Sequence, residues 1–269
     1  MNKDVYKHIR QLLESCSLVT KDNEYLPSVK LDFSEETILI TGAAGTIGSG
    51  ITQLLLKTQF KKLILIDNAE SPLYYLQKEL EIYQNPNIYF ILTDVRDETS
   101  MQELFSTLKP SMVFHTAAYK HVPMMEANPY EAVKLNILAT TFLVDLALLN
   151  NTKKFVFIST DKAVNPISIM GLTKRIGERY LMDLNSKNST KFLITRFGNI
   201  IGSNGSLIPL FNKQLELGRP LTVTSPKVSR YFIPKLKACQ HILEISNVAH
   251  GKHALFTFNM GKPIKIIDL

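Results

Sequence analysis

Hydrophobic positions in this chain gather in short runs, and the early runs each hand over to a stretch with helical spacing. Thr37–Thr41, Lys62–Ile66, Ile88–Leu92, Ser111–His115, Phe155–Ile158 and Lys191–Thr195 are rich in β-branched, leucine and aromatic residues. Apolar runs of that length predict strands buried on both faces, as in a parallel sheet. Behind the first run, Ile51, Leu54 and Leu55 recur at helical spacing. Four strands in succession, each followed by a helical pattern, predict an α/β fold with a doubly wound parallel sheet. Upstream, Val5, Ile9, Leu12 and Leu13 form a short amphipathic pattern before a polar loop with Pro27. The division expected is a helical extension over 1–36, a dinucleotide-binding domain of Rossmann type over 37–198, and a substrate-binding segment over 199–269. That last segment contains Thr222–Thr224 as a short strand of a small lobe, and its final run, HALFTFNMGKPIKIIDL, reads as a last strand of the sheet plus the start of a helix.

The turns between these elements carry the first chemistry. Gly42, Gly45 and Gly48 join the first strand to the first helix, with Thr46 and Ile47 among them. Glycine suits a turn where backbone approaches a pyrophosphate, and the helix amino terminus offers free N–H groups to that anion. The GxxGxxG spacing differs from the GxGxxG of the dehydrogenase fingerprint, so the loop by itself is a weak signal. Asp67 ends the second strand, where a carboxylate reaches an adenosine ribose and disfavours a 2′-phosphate, so NAD is expected over NADP, which stays open. Asp94 and Val95 follow the third strand and are candidates for the adenine, while Ala117 and Ala118 follow the fourth and leave room for the cofactor.

The richest stretch runs from Phe155 to Arg179. Its strand delivers Ser159, Thr160, Asp161 and Lys162 at the carboxyl edge, where open α/β sheets bind ligands. Beyond Pro166, Met170, Lys174 and Glu178 recur every four residues and share one face of a helix starting near Ile169. A carboxylate, lysines and hydroxyls can thus converge on one crevice.

With these residues in view, TGAAGTIG, the run from His115 to Asn136 (HTAAYKHVPMMEANPYEAVKLN) and STDKAVNPISIMGLTKRIGE resemble the extended short-chain dehydrogenase/reductase superfamily. Within it they are similar to the UDP-N-acetylglucosamine 4,6-dehydratases, the group often labelled polysaccharide biosynthesis protein of the CapD type. The resemblance implies NAD, a UDP-sugar substrate, a homo-oligomer, and production of a 4-keto-6-deoxy sugar nucleotide for capsule, O-antigen or protein-glycan synthesis. By the group's assignment Asp161 protonates the C6 oxygen, Lys162 removes the C5 hydrogen, and Lys174 binds the nicotinamide ribose. Most of the superfamily has tyrosine four residues before that lysine, as the base for the C4 hydroxyl. Met170 stands there in this chain and cannot transfer a proton, which leaves Asp161, Thr160, or Lys174 through water. The resemblance also offers Lys120, His121, Asn199, Ser203 and Arg230 to the sugar or its diphosphate, and Asn136 as a support of the active-site backbone. Relatives run beyond Leu269 and larger ones carry an amino-terminal membrane-anchored part, so the expectation is a soluble catalytic portion or a short relative, with a small, incomplete substrate lobe. Two other readings compete: a UDP-hexose 4-epimerase, against which Met170 speaks, and a catalytically silent NAD-binding protein.

Composition narrows the partners. A length of 269 residues, 45% of them hydrophobic, is enough for a real core, and a net charge of +7 suits an anionic partner. Lys and Arg are scattered and no zinc-finger or RNA-binding signature is present, which favours a small phosphorylated molecule over nucleic acid. Cys16 and Cys239 are far apart and lack metal-ligand spacing, so free thiols in a reducing cytoplasm and no metal are expected. The most apolar stretch, Leu135–Leu149, carries Asn136 and Asp145 and reads as too short to cross a bilayer.

Overall fold

In the computed structural model, which describes Gln11 and residues 31–184, 189–247 and 255–269, the apolar runs become strands of one sheet. In chain order the strands are β1 (Phe33–Thr41), β2 (Phe60–Asp67), β3 (Ile88–Leu92), β4 (Met112–His115), β5 (Lys154–Thr160), β6 (Lys191–Phe197), β7 (Asn199–Ile200), β8 (Ser229–Arg230), β9 (Phe232–Ile233), β10 (Leu255–Thr257) and β11 (Ile264–Lys265). The helices are α1 (Thr46–Leu55), α2 (Glu70–Leu80), α3 (Glu98–Leu108), α4 (Val122–Ala127), α5 (Pro129–Val133), α6 (Thr140–Leu149), α7 (Ile169–Leu184), α8 (Leu207–Glu216) and α9 (Lys235–Asn247).

Seven strands form the main sheet in the order β10-β6-β5-β4-β1-β2-β3, and every neighbouring pair is parallel. Successive strand residues point to opposite faces, so two apolar layers result. Ile38, Ile40, Leu63 and Leu65 pack on one side with Ile51 and Leu55 of α1 and Ile242 of α9. Leu39, Ile64, Val113, Phe155 and Phe157 pack on the other with Phe105 of α3, Leu143 of α6 and Leu181 of α7. The doubly wound parallel sheet is as expected. A small lobe beyond it joins β7 to β9 and β11 to β8 around Ile208, Phe211, Phe232, Ile264 and Ile266.

Three expectations need correction. The first strand begins at Phe33, which pairs with Phe60 across an irregularity, so a boundary at residue 36 cuts through β1; the rest of the expected extension, Cys16 included, lies outside the described residues apart from Gln11 and residues 31–32. Thr222–Thr224 is not a strand: the Thr222 amide and hydroxyl bind the Gln214 side chain of α8 at 3.2 and 2.9 Å. Finally, α5, a π-helical turn over Lys134–Ala139 and α6 run on as one helix, Pro129–Leu149, with a mean hydropathy of 1.8 in its most apolar window. By length and composition it could cross a membrane, contrary to expectation, although half of that window is buried within the protein.

Candidate active site

Strand order reverses between β1 and β4, and the crevice outside their carboxyl ends opens there. A cleft of about 600 Å³ occupies this position, walled by the glycine turn, the segment after β4, the end of β5, the first turns of α7 and the loop before α8. Gly42 sits at φ +65°, and a Cβ on it would lie 2.8 Å from both N and Cα of Ala117. A Cβ on Gly48 would fall 2.3 Å from the Gly42 carbonyl oxygen. The turn is therefore closed to side chains at both positions. Its Ala44 amide donates to Asp67 Oδ2 at 3.0 Å, while the amides of Thr46, Ile47 and Gly48 at the start of α1 have no protein acceptor among the described residues. Those three donors, with the helix dipole behind them, suit a phosphate group.

The other cofactor candidates are placed unevenly. Asp67 uses its second oxygen to accept from the Ala69 amide at 3.0 Å, so it braces the glycine turn and the start of α2 together. Asp94 is gripped by Arg96, which donates from Nε and Nη2 at 3.0 and 2.7 Å, and Asn68 adds a bond at 3.0 Å. The guanidinium holds the Asp94 carboxyl down at about 2. Val95 is buried in the core, and Ala118 lines the cleft directly.

At the end of β5 the chain makes one 3₁₀ turn, Asp161–Ala163. Thr160 Oγ1 donates to Asp161 Oδ1 at 2.9 Å and accepts from the Lys162 amide at 3.3 Å. Lys162 Nζ reaches Asp161 Oδ1 at 3.0 Å and Asn199 Oδ1 at 3.2 Å. The acid and amine are thus a contact pair at the sheet edge, with the lysine side chain in the cleft wall. Gly171, which the sequence did not single out, keeps α7 against this turn, since any Cβ there would meet the Lys162 carbonyl at 2.3 Å.

Lys174 is 6% exposed and faces the cleft, with Nζ 4.3 Å from the centre of the Phe157 ring. Burial pulls its amine down to about 7, the nearby Glu178 carboxylate opposing the shift. The ring face also favours the ammonium, but desolvation is the larger effect at full burial. Glu178 is itself held by Ser159 at 2.6 Å, by Arg196 through two bonds, one of them 2.6 Å, and by Arg175 at 3.0 Å. Met170 is 3% exposed and packs with Met125 and Ala132.

The wall after β4 is built from the inside. Buried His115 bonds Thr41 Oγ1 at 2.8 Å and Thr140 Oγ1 at 2.9 Å, and burial pushes its imidazole down to about 3. Thr41 Oγ1 in turn accepts from the Thr116 and Ala117 amides at 3.2 and 3.3 Å. Asn136, fully buried in the π turn, accepts from the Tyr119 amide and donates to its carbonyl, both at 2.9 Å, with a further bond to Thr173 at 3.1 Å. Its amide is committed to backbone and is not in the cleft lining. Lys120 Nζ reaches Ser203 Oγ at 3.4 Å, its amine lowered by burial. His121 lies against Gly205, lowered first by burial and then by Lys120. The Asn204 amide donates to Thr46 Oγ1 at 3.2 Å, tying the loop before α8 to the glycine turn. Arg230 stands apart: it donates to the Ser229 carbonyl at 3.0 Å and is not among the cleft residues. Among the described residues no cluster of His, Cys, Asp or Glu could hold a metal ion.

A family model described as polysaccharide biosynthesis protein matches residues 38–269. The chain belongs to that family. It is 44% identical to the capsular polysaccharide biosynthesis protein CapD of Staphylococcus aureus over 90% of this chain and 41% of the relative. It is 34% identical to a UDP-glucose 4-epimerase of Rickettsia bellii, over 81% of this chain and 64% of the relative. Identity to a UDP-N-acetylglucosamine 4,6-dehydratase (inverting) of Campylobacter jejuni is 31%, over 81% and 66%. The chain spans about two fifths of the length of CapD and of a Bacillus subtilis relative, EpsC. Among solved structures, Pen from Bacillus thuringiensis superposes with a TM-score of 0.77 at 33% identity, covering 81% of this chain and 68% of that one. WbmH of Bordetella bronchiseptica, solved with NAD+, gives 0.71 at 26%, covering 87% and 78%. Relatives of this chain thus include sequences named for elimination and for epimerisation.

Proposed function

We propose that this chain carries the catalytic centre of a NAD-dependent nucleotide-sugar 4,6-dehydratase. The substrate is a UDP-N-acetylhexosamine, UDP-N-acetylglucosamine in the first instance, and the product a 4-keto-6-deoxy sugar nucleotide. The observation that carries this is the Asp161–Lys162 contact pair at the end of β5, with the lysine in the cleft wall.

The cleft fits a dinucleotide. Three amides without acceptors among the described residues open α1, no side chain fills Gly42 or Gly48, Ala118 keeps the adjoining wall small, and Lys174 offers its amine from the floor. Gly45, Thr46, Ile47 and Gly48 would take the pyrophosphate, and Asp67 the adenosine ribose, favouring NAD over NADP. Nicotinamide, when bound, supplies hydride acceptance at C4 and hydride return at C6. The protein orients the sugar and moves protons. Oxidation at C4 acidifies the C5 hydrogen, which Lys162 takes, and Asp161 protonates the departing C6 hydroxyl. In the structure their mutual bond leaves each the other's nearest counter-ion, so the two roles are coupled. Asn199 and Ser203, with Lys120 and His121 across the cleft, are placed to hold the diphosphate and the sugar.

The named epimerase relative favours a second reading, rotation of the 4-keto sugar without loss of water. Incubation with UDP-N-acetylglucosamine in deuterated water followed by mass spectrometry separates the two. Elimination loses one water and gains one deuterium at C5; an epimer keeps its mass and its C6 hydroxyl. Binding of NAD without turnover of any nucleotide sugar points to the silent alternative. A homo-oligomer remains part of the proposal: Tyr130, Leu138 and Leu149 on the long helix and Leu172 and Ile176 on α7 are exposed apolar side chains that a second copy would cover.

A further inference from the structure

We propose that Lys174 itself takes the proton of the sugar's C4 hydroxyl, the task that a tyrosine at position 170 would perform. The inference rests on the dehydratase reading and concerns the one proton transfer that reading leaves without an owner. Met170 has no proton to give or take, and packed against Met125 and Ala132 it presents an apolar wall to the cleft. One helical turn on, Lys174 Nζ lies over the Phe157 ring and has no hydrogen-bond acceptor among the described residues. Among the other candidate bases, Asp161 already accepts from Thr160 and Lys162, and His121 lies across the cleft against Gly205. Lys162 is assigned to the C5 proton, and Thr160 has its hydroxyl proton on Asp161. Lys120 points to Ser203, and both ring nitrogens of His115 are bound to threonines.

The surroundings make an amine a workable base. An exposed lysine is an ammonium at neutral pH and has no lone pair to offer, but burial brings Lys174 to about 7. The titratable and charged groups around it are Glu178 on its own helix, His115 on β4, and the Asp161–Lys162 pair beyond β5. Glu178 favours the ammonium but is shared with Arg196 and Arg175; His115 is neutral, and the Asp161–Lys162 pair balances its own charge. A methionine at 170 adds to the desolvation, so the substitution that removes the phenol also helps free the amine. In the step, the O–H bond at C4 breaks and its proton goes to the Nζ lone pair. The carbonyl forms as the C4 hydrogen leaves with its electron pair for the nicotinamide of the bound dinucleotide.

Two measurements test this. NMR titration of Lys174 Nζ in ¹⁵N-lysine-labelled protein, assigned with Lys174→Arg, should show half-protonation near pH 7; an ammonium that persists to about pH 10 overturns the proposal. Lys174→Arg keeps the cation and its donors but cannot accept a proton. In a Lys162→Ala background, where the C5 proton stays, reduced nicotinamide should accumulate with UDP-N-acetylglucosamine. Adding Lys174→Arg should slow its appearance by about 10³-fold at saturating NAD. An undiminished rate in the Arg variant refutes the base while leaving dehydration standing. Failure of the unmodified protein to release water from any nucleotide sugar refutes dehydration itself. If the Arg variant does not bind NAD, the titration alone decides.

Discussion

Gly171 and Lys162 touch backbone to backbone: a Cβ on Gly171 would lie 2.3 Å from the Lys162 carbonyl oxygen. The helix that bears Lys174 thereby sets the height of the turn that bears Asp161 and Lys162. Gly171→Ala should push that turn away, with an overpacking cost of roughly 1–3 kcal/mol in denaturant unfolding. Because a displacement of about 1 Å can cost about 10² in rate, turnover should fall far more than NAD affinity. Unchanged kinetics in a folded Gly171→Ala protein would remove the turn from the catalytic arrangement.

Gly42 makes the corresponding contact for the cofactor side. Its φ of +65° and its 2.8 Å approach to Ala117 leave no room for a methyl group. Gly42→Ala should strain the turn by about 1–3 kcal/mol and weaken NAD binding at least about 10-fold, as read by calorimetry, equivalent to about 1.4 kcal/mol. An NAD affinity equal to that of the unsubstituted protein would count against this loop as the pyrophosphate cradle.

Asn136 holds the Tyr119 peptide from both sides and Thr173 besides, at 2.9 to 3.1 Å. Asn136→Leu preserves the shape but strands those groups in a dry interior, at about 1–3 kcal/mol for each group left unsatisfied. The urea midpoint should drop accordingly. Asn136→Asp should be worse at neutral pH than at pH 4, because its carboxylate would face the Tyr119 carbonyl oxygen.

Two groups with depressed protonation give separate pH signatures. His115 is held near 3 in the fold against its ordinary 6.5, so the unfolded chain binds more protons between those values. Stability should fall as pH drops below about 6.5, by up to about 1.4 kcal/mol per pH unit. Lys174 makes no contribution in that window, since it is protonated in both states there. Its own effect lies between about 7 and 10.5, where stability rises with pH. Thermal unfolding of His115→Gln should show a shallower acid slope than the parent; an identical slope would mean that His115 is already charged in the folded protein.

Much of the fold was legible because parallel strands advertise themselves. Ile88–Leu92 matches its strand residue for residue, and α7 begins at Ile169 as its spacing implied. The edges were harder. Phe33 joins β1 through one pairing with Phe60 beyond an irregularity, a long-range contact that no local pattern records. Thr222–Thr224 alternates like a strand, yet Gln214 satisfies Thr222. Within the site, the end of β5 put Asp161 and Lys162 at the sheet edge, and the four-residue spacing from Met170 put Lys174 on the face of α7 that meets the cleft. Gly171, the Thr41–His115–Thr140 chain and the Arg196–Glu178 pair depend on which elements meet in space. Arg230 shows the converse: its residue type suits a phosphate, but β8 holds it away from the cleft lining.

The Asn204 amide resting on Thr46 Oγ1 has a temporal consequence. It ties the loop before α8 to the turn proposed to cradle the pyrophosphate, so breaking it should ease the departure of a dinucleotide from that turn. Under the proposed reaction the hydride taken at C4 is given back within one turnover, so the carrier would not need exchanging, and slow escape would keep both of its forms with the same sugar. Thr46→Val, which deletes the acceptor, should hasten NAD release in stopped-flow displacement, and an unaltered off-rate would show that this tie does not slow the carrier's departure.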